Sequence, residues 1–322
     1  MDILVYEKLL GSDTSNNRPS VIKEAKFILN SLFSDFAQYN QKYKISLLIN
    51  KQYCNDISKS VSIIPRNYSK KPHEDIILNK SLYDKVLVLE PENNYGLYET
   101  IKKLEENGIE TLNCLSSLIK LTSDKLMTYK YLKNYSKHIP SYSQDYIFFK
   151  ENEKIVAKII DGFSAENLYI FENRNKLREN KKLITKNHFF QKYIDGNIVS
   201  INIVSNKNSF NILSINEQIY EFTSENQISL KQINIGKYNH LYKNYKNIIF
   251  GIINNFKGFY GFYGIDGIIT KNNNFIFLEI NPRLTTSYVG LSRSLGFNPL
   301  KLLFENNYNF DISKNKTLSV NL

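Results

Sequence analysis

The chain opens on an apolar run, Ile3 to Tyr6 closed by Glu7, with the length and composition of a buried strand. After a polar stretch (GSDTSNN), Pro19 stands where a first-turn proline starts a helix. Val21, Ile22, Ala25, Ile28, Leu29, Leu32, Phe33 and Phe36 then recur at helical spacing, which predicts one buried face. Strands are expected next at 45–49 and 85–90, and a helix over 95–107, so the first part reads as an α/β unit. Near Leu115 the pattern changes. A helix is predicted through 118–135, followed by short apolar runs at 155–160, 168–171, 189–194, 199–204 and 210–215 whose close succession favours antiparallel pairing. One more long helix carries Leu241, Tyr245, Ile248, Ile249, Ile252, Ile253 and Phe256 on one face. Two strands follow at 262–270 and 275–281, then a helical segment near 288–295, while asparagine-rich patches at 206–211 and 272–274 read as turns.

Length and composition narrow this picture. The 322 residues allow two or three domains, and 42% hydrophobic with 23% charged residues is the balance of a globular chain, which excludes wholesale disorder and fibrous repeats. The net charge of +11 would ordinarily suggest a nucleic-acid partner. Only six of the 42 basic residues are arginine, however, and the lysines are scattered without a contiguous block, so no nucleic-acid partner is expected. Cys54 and Cys114 lie far apart with no CxxC pattern, and buried free thiols are expected instead of a disulfide or zinc site. The amino terminus has no cationic segment ahead of an apolar stretch, and no run approaches 18 apolar residues. A cytoplasmic protein without a membrane partner is therefore expected, and a homo-oligomer is compatible with the sequence.

The strongest chemical signal is the segment YGIDGIITKNNNFIFLEINPR. A turn symmetric about Asn272 and Asn273 would set Asp266 directly across from Glu279, with Asn281 on the same face and Ile276, Leu278 and Ile280 on the other. Facing carboxylates repel unless a cation lies between them, and a hard divalent ion with phosphate co-ligands would satisfy both. Arg283, just beyond Pro282, offers a planar cation for phosphate oxygens. A one-residue slip in register would dissolve the constellation and leave a solvated hairpin.

EINPR, with an aspartate 13 positions before its glutamate, resembles the metal-binding end of the ATP-grasp fold. The extended EINPRLTTSYVGL is similar to the archaeal tyramine–glutamate ligase family of methanofuran biosynthesis. So is the amino terminus, with its strand ending in Tyr6-Glu7 and its Pro19-Ser20 helix start leading to Lys23-Glu24. The resemblance implies an α/β (α+β) chain with a pre-ATP-grasp domain over 1–114, an ATP-grasp N-lobe over 115–187 and a C-lobe with the metal site over 188–322. It implies ATP and two Mg²⁺ (or Mn²⁺) ions as cofactors, the ions held by Asp266, Glu279 and Asn281, and Arg283 in a catalytic role.

On the nucleotide side, Lys125 follows Ser123-Asp124 at a helix start, where Thr122 or Ser123 is the expected cap, and a lysine in a first turn opposes the helix dipole unless an anion is near. By resemblance it contacts ATP phosphate. Lys158, in the apolar strand VAKII, resembles the second phosphate-binding lysine, ahead of a loop at 161–167 that carries only one glycine. Gln191, Lys192, Tyr193 and Ile194 resemble the hinge between the lobes, where backbone groups of Lys192 and Ile194 would read the adenine edge. Thr285, Thr286 and Ser287 follow the metal strand, either as substrate hydroxyls or as caps for the next helix. The reaction implied is an ATP-dependent amide ligation of the γ-carboxylate of L-glutamate to the amine of tyramine through an acyl phosphate. The alternative is an ATP-grasp ligase for a different amino acid or amine.

Overall fold

The structure is a computed structural model, and it describes residues 1–11, 19–38, 42–57, 62–66, 72–162, 167–206, 209–222, 228–305 and 310–321. Its amino-terminal part is a four-stranded parallel sheet of β1 (Asp2–Glu7), β2 (Lys44–Asn50), β3 (Ser62–Arg66) and β4 (Lys85–Leu89), in the order β3-β2-β1-β4. The apolar runs of β1, β2 and β4 bury on both faces, as parallel strands under helices must. The helix Pro19–Ala37 packs its predicted stripe into the core through Ala25, Leu29, Leu32, Phe33 and Phe36, and the Gly96–Glu106 helix buries Leu97, Ile101 and Leu104. Strand β3 and the Pro72–Leu78 helix were not foreseen from the sequence.

The remaining strands form two antiparallel sheets. The smaller contains β5 (Tyr142–Ser143), β6 (Ile155–Ile159), β7 (Tyr169–Phe171) and β8 (His188–Lys192), in the order β5-β8-β6-β7. Strand β8 pairs inside this smaller sheet, with Lys192 opposite Ile155. The larger contains β9 (Gly196–Ser205), β10 (Phe210–Phe222), β11 (Ile228–Ile235), β12 (Gly261–Thr270), β13 (Phe275–Asn281) and β14 (Leu318–Asn321), in the order β13-β12-β9-β10-β11-β14. The Tyr242–Asn254 helix covers one face of it with Tyr245, Ile249, Ile252 and Ile253, packed on Ile201, Ile265 and Phe275. Strand β10 runs longer than its apolar stretch, β11 (ISLKQINI) escaped the sequence reading because its alternation of apolar residues shifts by one at Lys231, and β14 because it has only four residues.

The helix expected through 118–135 is broken in two. Asp124 adopts an extended conformation (φ −96°, ψ 105°), separating Ser116–Ser123 from Lys125–Tyr131, and its side chain caps the second helix by accepting from Met127 N. The cap is therefore Asp124 and not Thr122 or Ser123, whose hydroxyls donate back to the Leu118 and Ile119 carbonyls. Both cysteines are free thiols, Cys114 buried and Cys54 half-buried. Among the described residues no helix is long and apolar enough to cross a membrane.

Candidate active site

Asp266 on β12 does face Glu279 on β13, although by a different route from the one the turn suggested. Next to the turn the pairs are Ile269 with Phe275, Ile268 with Ile276 and Gly267 with Phe277, one residue out of the expected register. A β-bulge between Asp266 and Gly267 then restores it. Asn273 takes the left-handed conformation (φ 56°) that closes the loop. Gly267 admits the crossing aromatic ring, since a Cβ there would lie 2.4 Å from the Phe275 ring. The bulge also corrects the expected alternation: Phe275 and Phe277 fill the core and Ile280 joins them beyond the bulge, whereas Ile276 and Leu278 do not share that face. The extra residue, Leu278, offers its carbonyl to the Tyr129 hydroxyl at 2.6 Å, and Gln191 Nε2 donates to the same Tyr129 oxygen at 2.5 Å.

Ser200 on β9 lies beside Asp266, so Glu279, Asp266 and Ser200 form a row across three strands. Burial first, and then the charge of Glu279, push Asp266 up to about 7. Burial also works against Glu279, but Lys125 and Lys158 outweigh it and hold that carboxyl below its usual range. Asn281 donates its amide to Asp266 Oδ2 at 2.9 Å. Among the described residues no three His, Cys, Asp or Glu side chains gather round one point, so the donors on offer are two carboxylates and an amide. That set fits a hard divalent cation taking its other ligands from phosphate and water, because a dication would offset the burial and the repulsion that raise Asp266.

Three cations surround the pair. Lys125 Nζ lies 3.3 Å from Glu279 Oε2 and donates to the Gly162 carbonyl at 2.5 Å. Lys158 lies in the field of Glu279, Asp266 and Lys125, and burial, its largest influence, pulls it below the ordinary lysine range. Part of the loop expected after it, residues 163–166, lies outside the described residues. Arg283 is held by Glu92, Nε to Oε2 at 2.5 Å, a partner 191 positions away that no local motif announces.

The segment Gln191 to Ile194, expected to be a hinge, divides its contacts among several neighbours. The Gln191 side chain is turned inward onto Tyr129, and that of Lys192 pairs with Glu153 at 3.1 Å. The Lys192 N–H donates to Ser141 O and the Tyr193 N–H to Lys154 O, each at 2.9 Å, while Lys154 Nζ sits 4.6 Å from the Tyr193 ring centre.

Thr285, Thr286 and Ser287 all line an open pocket beside the carboxylates, but their hydroxyls have partners. Ser287 Oγ donates to Asn202 Oδ1 at 2.6 Å and Thr285 Oγ1 to the same oxygen at 3.3 Å, while Asn202 Nδ2 donates to Ser214 Oγ and Ser287 O. Thr286 Oγ1 donates to Glu24. Asn202 thus fastens the segment after β13. Asn202→Ala, which would leave buried hydroxyls unpaired, is expected to cost about 1–3 kcal/mol in chemical denaturation. The same pocket is lined by Glu7, Glu24, Gln218 and Tyr220, which sequence reasoning did not select as site residues. Only the Tyr6-Glu7 and Lys23-Glu24 pairs hinted at two of them.

Comparison with known proteins agrees with this architecture. The ATP-grasp domain family matches residues 122–287, slightly more than half of the chain, a stretch that contains both lysines and the carboxylate hairpin. Two curated relatives are named tyramine–L-glutamate ligase. The one from Methanocaldococcus fervens is 25% identical, covering 90% of this chain and 89% of its own length. The one from Methanocaldococcus jannaschii is 26% identical, covering 95% and 89%. Among solved structures, an Archaeoglobus fulgidus protein described under the ATP-grasp superfamily superimposes with a TM-score of 0.74 at 19% identity, covering 100% of this chain and 99% of that one. An L-amino acid ligase from Bacillus licheniformis gives 0.67 at 14%, covering 98% and 74%. On the extent of the domain match, this chain belongs to the ATP-grasp family.

Proposed function

We propose that the protein is an ATP-dependent carboxylate–amine ligase that joins the γ-carboxylate of L-glutamate to the amine of tyramine. The observation that carries this reading is the facing pair Asp266 and Glu279 with Lys125, Lys158 and Arg283 around it. Two acids with three cations around them suit a triphosphate with its divalent counter-ions better than they suit any single small anion. The substrates are supported by the names of the two curated relatives. The division into an N-terminal α/β domain and two lobes, a complement of two ions, and a cytoplasmic setting belong to the same proposal.

A carboxylate does not condense with an amine in water because oxide is a poor leaving group. Transfer of the γ-phosphoryl group of ATP to the acid makes an acyl phosphate and ADP. The amine nitrogen then bonds to the acyl carbon, the carbon–oxygen bond to phosphate breaks, phosphate departs and the nitrogen gives up a proton. Lys125 and Lys158 are placed to neutralise charge on the transferring group, and Arg283 to meet phosphate oxygens once it leaves Glu92. Asp266, Glu279 and Asn281 would hold Mg²⁺ or Mn²⁺, which supplies further charge neutralisation at the phosphates.

The test is ADP release by the purified chain. Glutamate and tyramine together are expected to stimulate release at least about ten-fold over either alone. EDTA should abolish the stimulated rate, and added Mg²⁺ or Mn²⁺ should restore it. Release that ignores the amine would overturn the ligation. Stimulation by a different amine or acid would favour an ATP-grasp ligase with other substrates.

A further inference from the structure

The pocket beside the carboxylates has a second half that phosphate chemistry does not use. It lies at the carboxyl ends of β1 and β4, where Glu7 ends one strand with Leu9 beyond it and Leu89 ends the other ahead of Glu90 and Pro91. In the order β3-β2-β1-β4 the connections part on either side of these two strands. Parallel sheets bind ligands in the crevice at such a point. The walls are the Pro19–Ala37 helix, through Val21, Ala25 and Ile28, and the large sheet, through Tyr220 and Leu230. An apolar slot therefore opens directly onto Asp266 and Glu279.

The polar groups at its mouth are acidic, and they are not equally satisfied. Glu90 accepts from Lys8 at 2.6 Å and Thr100 at 2.7 Å. Glu24 is met by the hydroxyl of Thr286, which fixes it next to the end of the metal strand. Glu7 accepts from Leu10 N at 2.6 Å, and its burial pushes it up to about 8, so it carries little charge until a cation arrives. Gln218 Oε1 lines the slot and is buried with no hydrogen-bond partner among the described residues. An acceptor left dry at the wall of a cavity is an acceptor awaiting a donor.

We propose that this slot is the acceptor-amine site, taking a primary arylalkylammonium whose ring lies against Val21, Ile28, Leu230 and Tyr220 and whose ammonium is held by Glu24. Gln218 Oε1 accepts a hydrogen bond from the same ligand. An anionic amino acid is disfavoured in this half by Glu24 and is directed to the Arg283 side. The substrate class rests on the ligase reading above, while the site itself rests on the pocket's chemistry.

The test is calorimetric titration of the intact chain with Mg²⁺ and ADP present and no glutamate. The probes are tyramine, its uncharged analogue 2-(4-hydroxyphenyl)ethanol, and butylamine. Tyramine is expected to bind at least about ten-fold more tightly than either, the scale of one paired charge or one buried ring. Glu24→Gln should weaken tyramine at least about ten-fold and leave the uncharged analogue where it was. Val21→Trp, which fills the ring's space, should weaken tyramine but not butylamine. Affinity for Mg²⁺–ADP within about two-fold of wild type shows that each variant is folded. No tyramine binding by wild type, equal binding of the uncharged analogue, or indifference to Glu24→Gln each overturns the site. Since no turnover enters the titration, amine binding without ligation would sink only the ligase reading, and ligation with a Glu24-independent amine affinity would sink only this assignment.

Discussion

Asp266→Asn and Glu279→Gln are each expected to reduce the amine-stimulated rate of ADP release by about 10² or more, with the protein still folded. That is the scale for loss of one element of transition-state charge stabilisation. The two differ in what they do to the resting protein. Asp266 is pushed up to about 7 by burial and by Glu279, so its amide analogue removes a repulsion and leaves the hydrogen-bonding shape intact. Its melting temperature should equal or exceed that of wild type. Glu279 balances Lys125 at 3.3 Å and faces Lys158, so Glu279→Gln strands positive charge and should melt lower. Rates near wild type in both variants would remove the metal and phosphate assignment. A loss of rate that tracked a loss of folded protein would reduce the pair to a structural role.

Lys158→Met is expected to separate function from stability more sharply. The lysine sits in an apolar strand, and burial pulls it below the normal lysine range despite two carboxylates nearby, which means its charge is held at a cost. Methionine has a similar length and no such cost, so the variant should be at least as stable as wild type to denaturant. Its kcat/KM for ATP should nonetheless fall by about 10² or more, because a charge aimed at the transferring phosphoryl group is lost. A lysine that merely snorkels to solvent would give the opposite result, normal kinetics with a small change in stability.

Much of this site could be read from the chain because its parts lie close together in sequence. Asp266, Glu279 and Asn281 are separated by one turn, so strand periodicity alone puts them on one face, and Arg283 is two residues on. The turn arithmetic was off by one near Asn273, and the bulge at Leu278 made up the difference; nothing in FIFLEIN announces which residue is extra. What the chain concealed is what topology assembles. Glu92 meets Arg283, Glu24 meets Thr286, and Asp35 meets Tyr288 at 2.7 Å, each across more than 190 positions. Gln218 and Tyr220 belong to a strand whose apolar stretch ends before them, so no periodicity singled them out. The broken helix at Asp124 was hidden because its two halves carry one continuous apolar pattern, while the break is set by a side chain capping Met127.

The phenol of Tyr129 sits between Gln191, near the end of β8, and Leu278, one residue before Glu279. One oxygen atom thus serves as a rivet between the two antiparallel sheets. Any tilt of the smaller sheet during a catalytic cycle has to drag this rivet or shear it, and the acid next door would feel the pull.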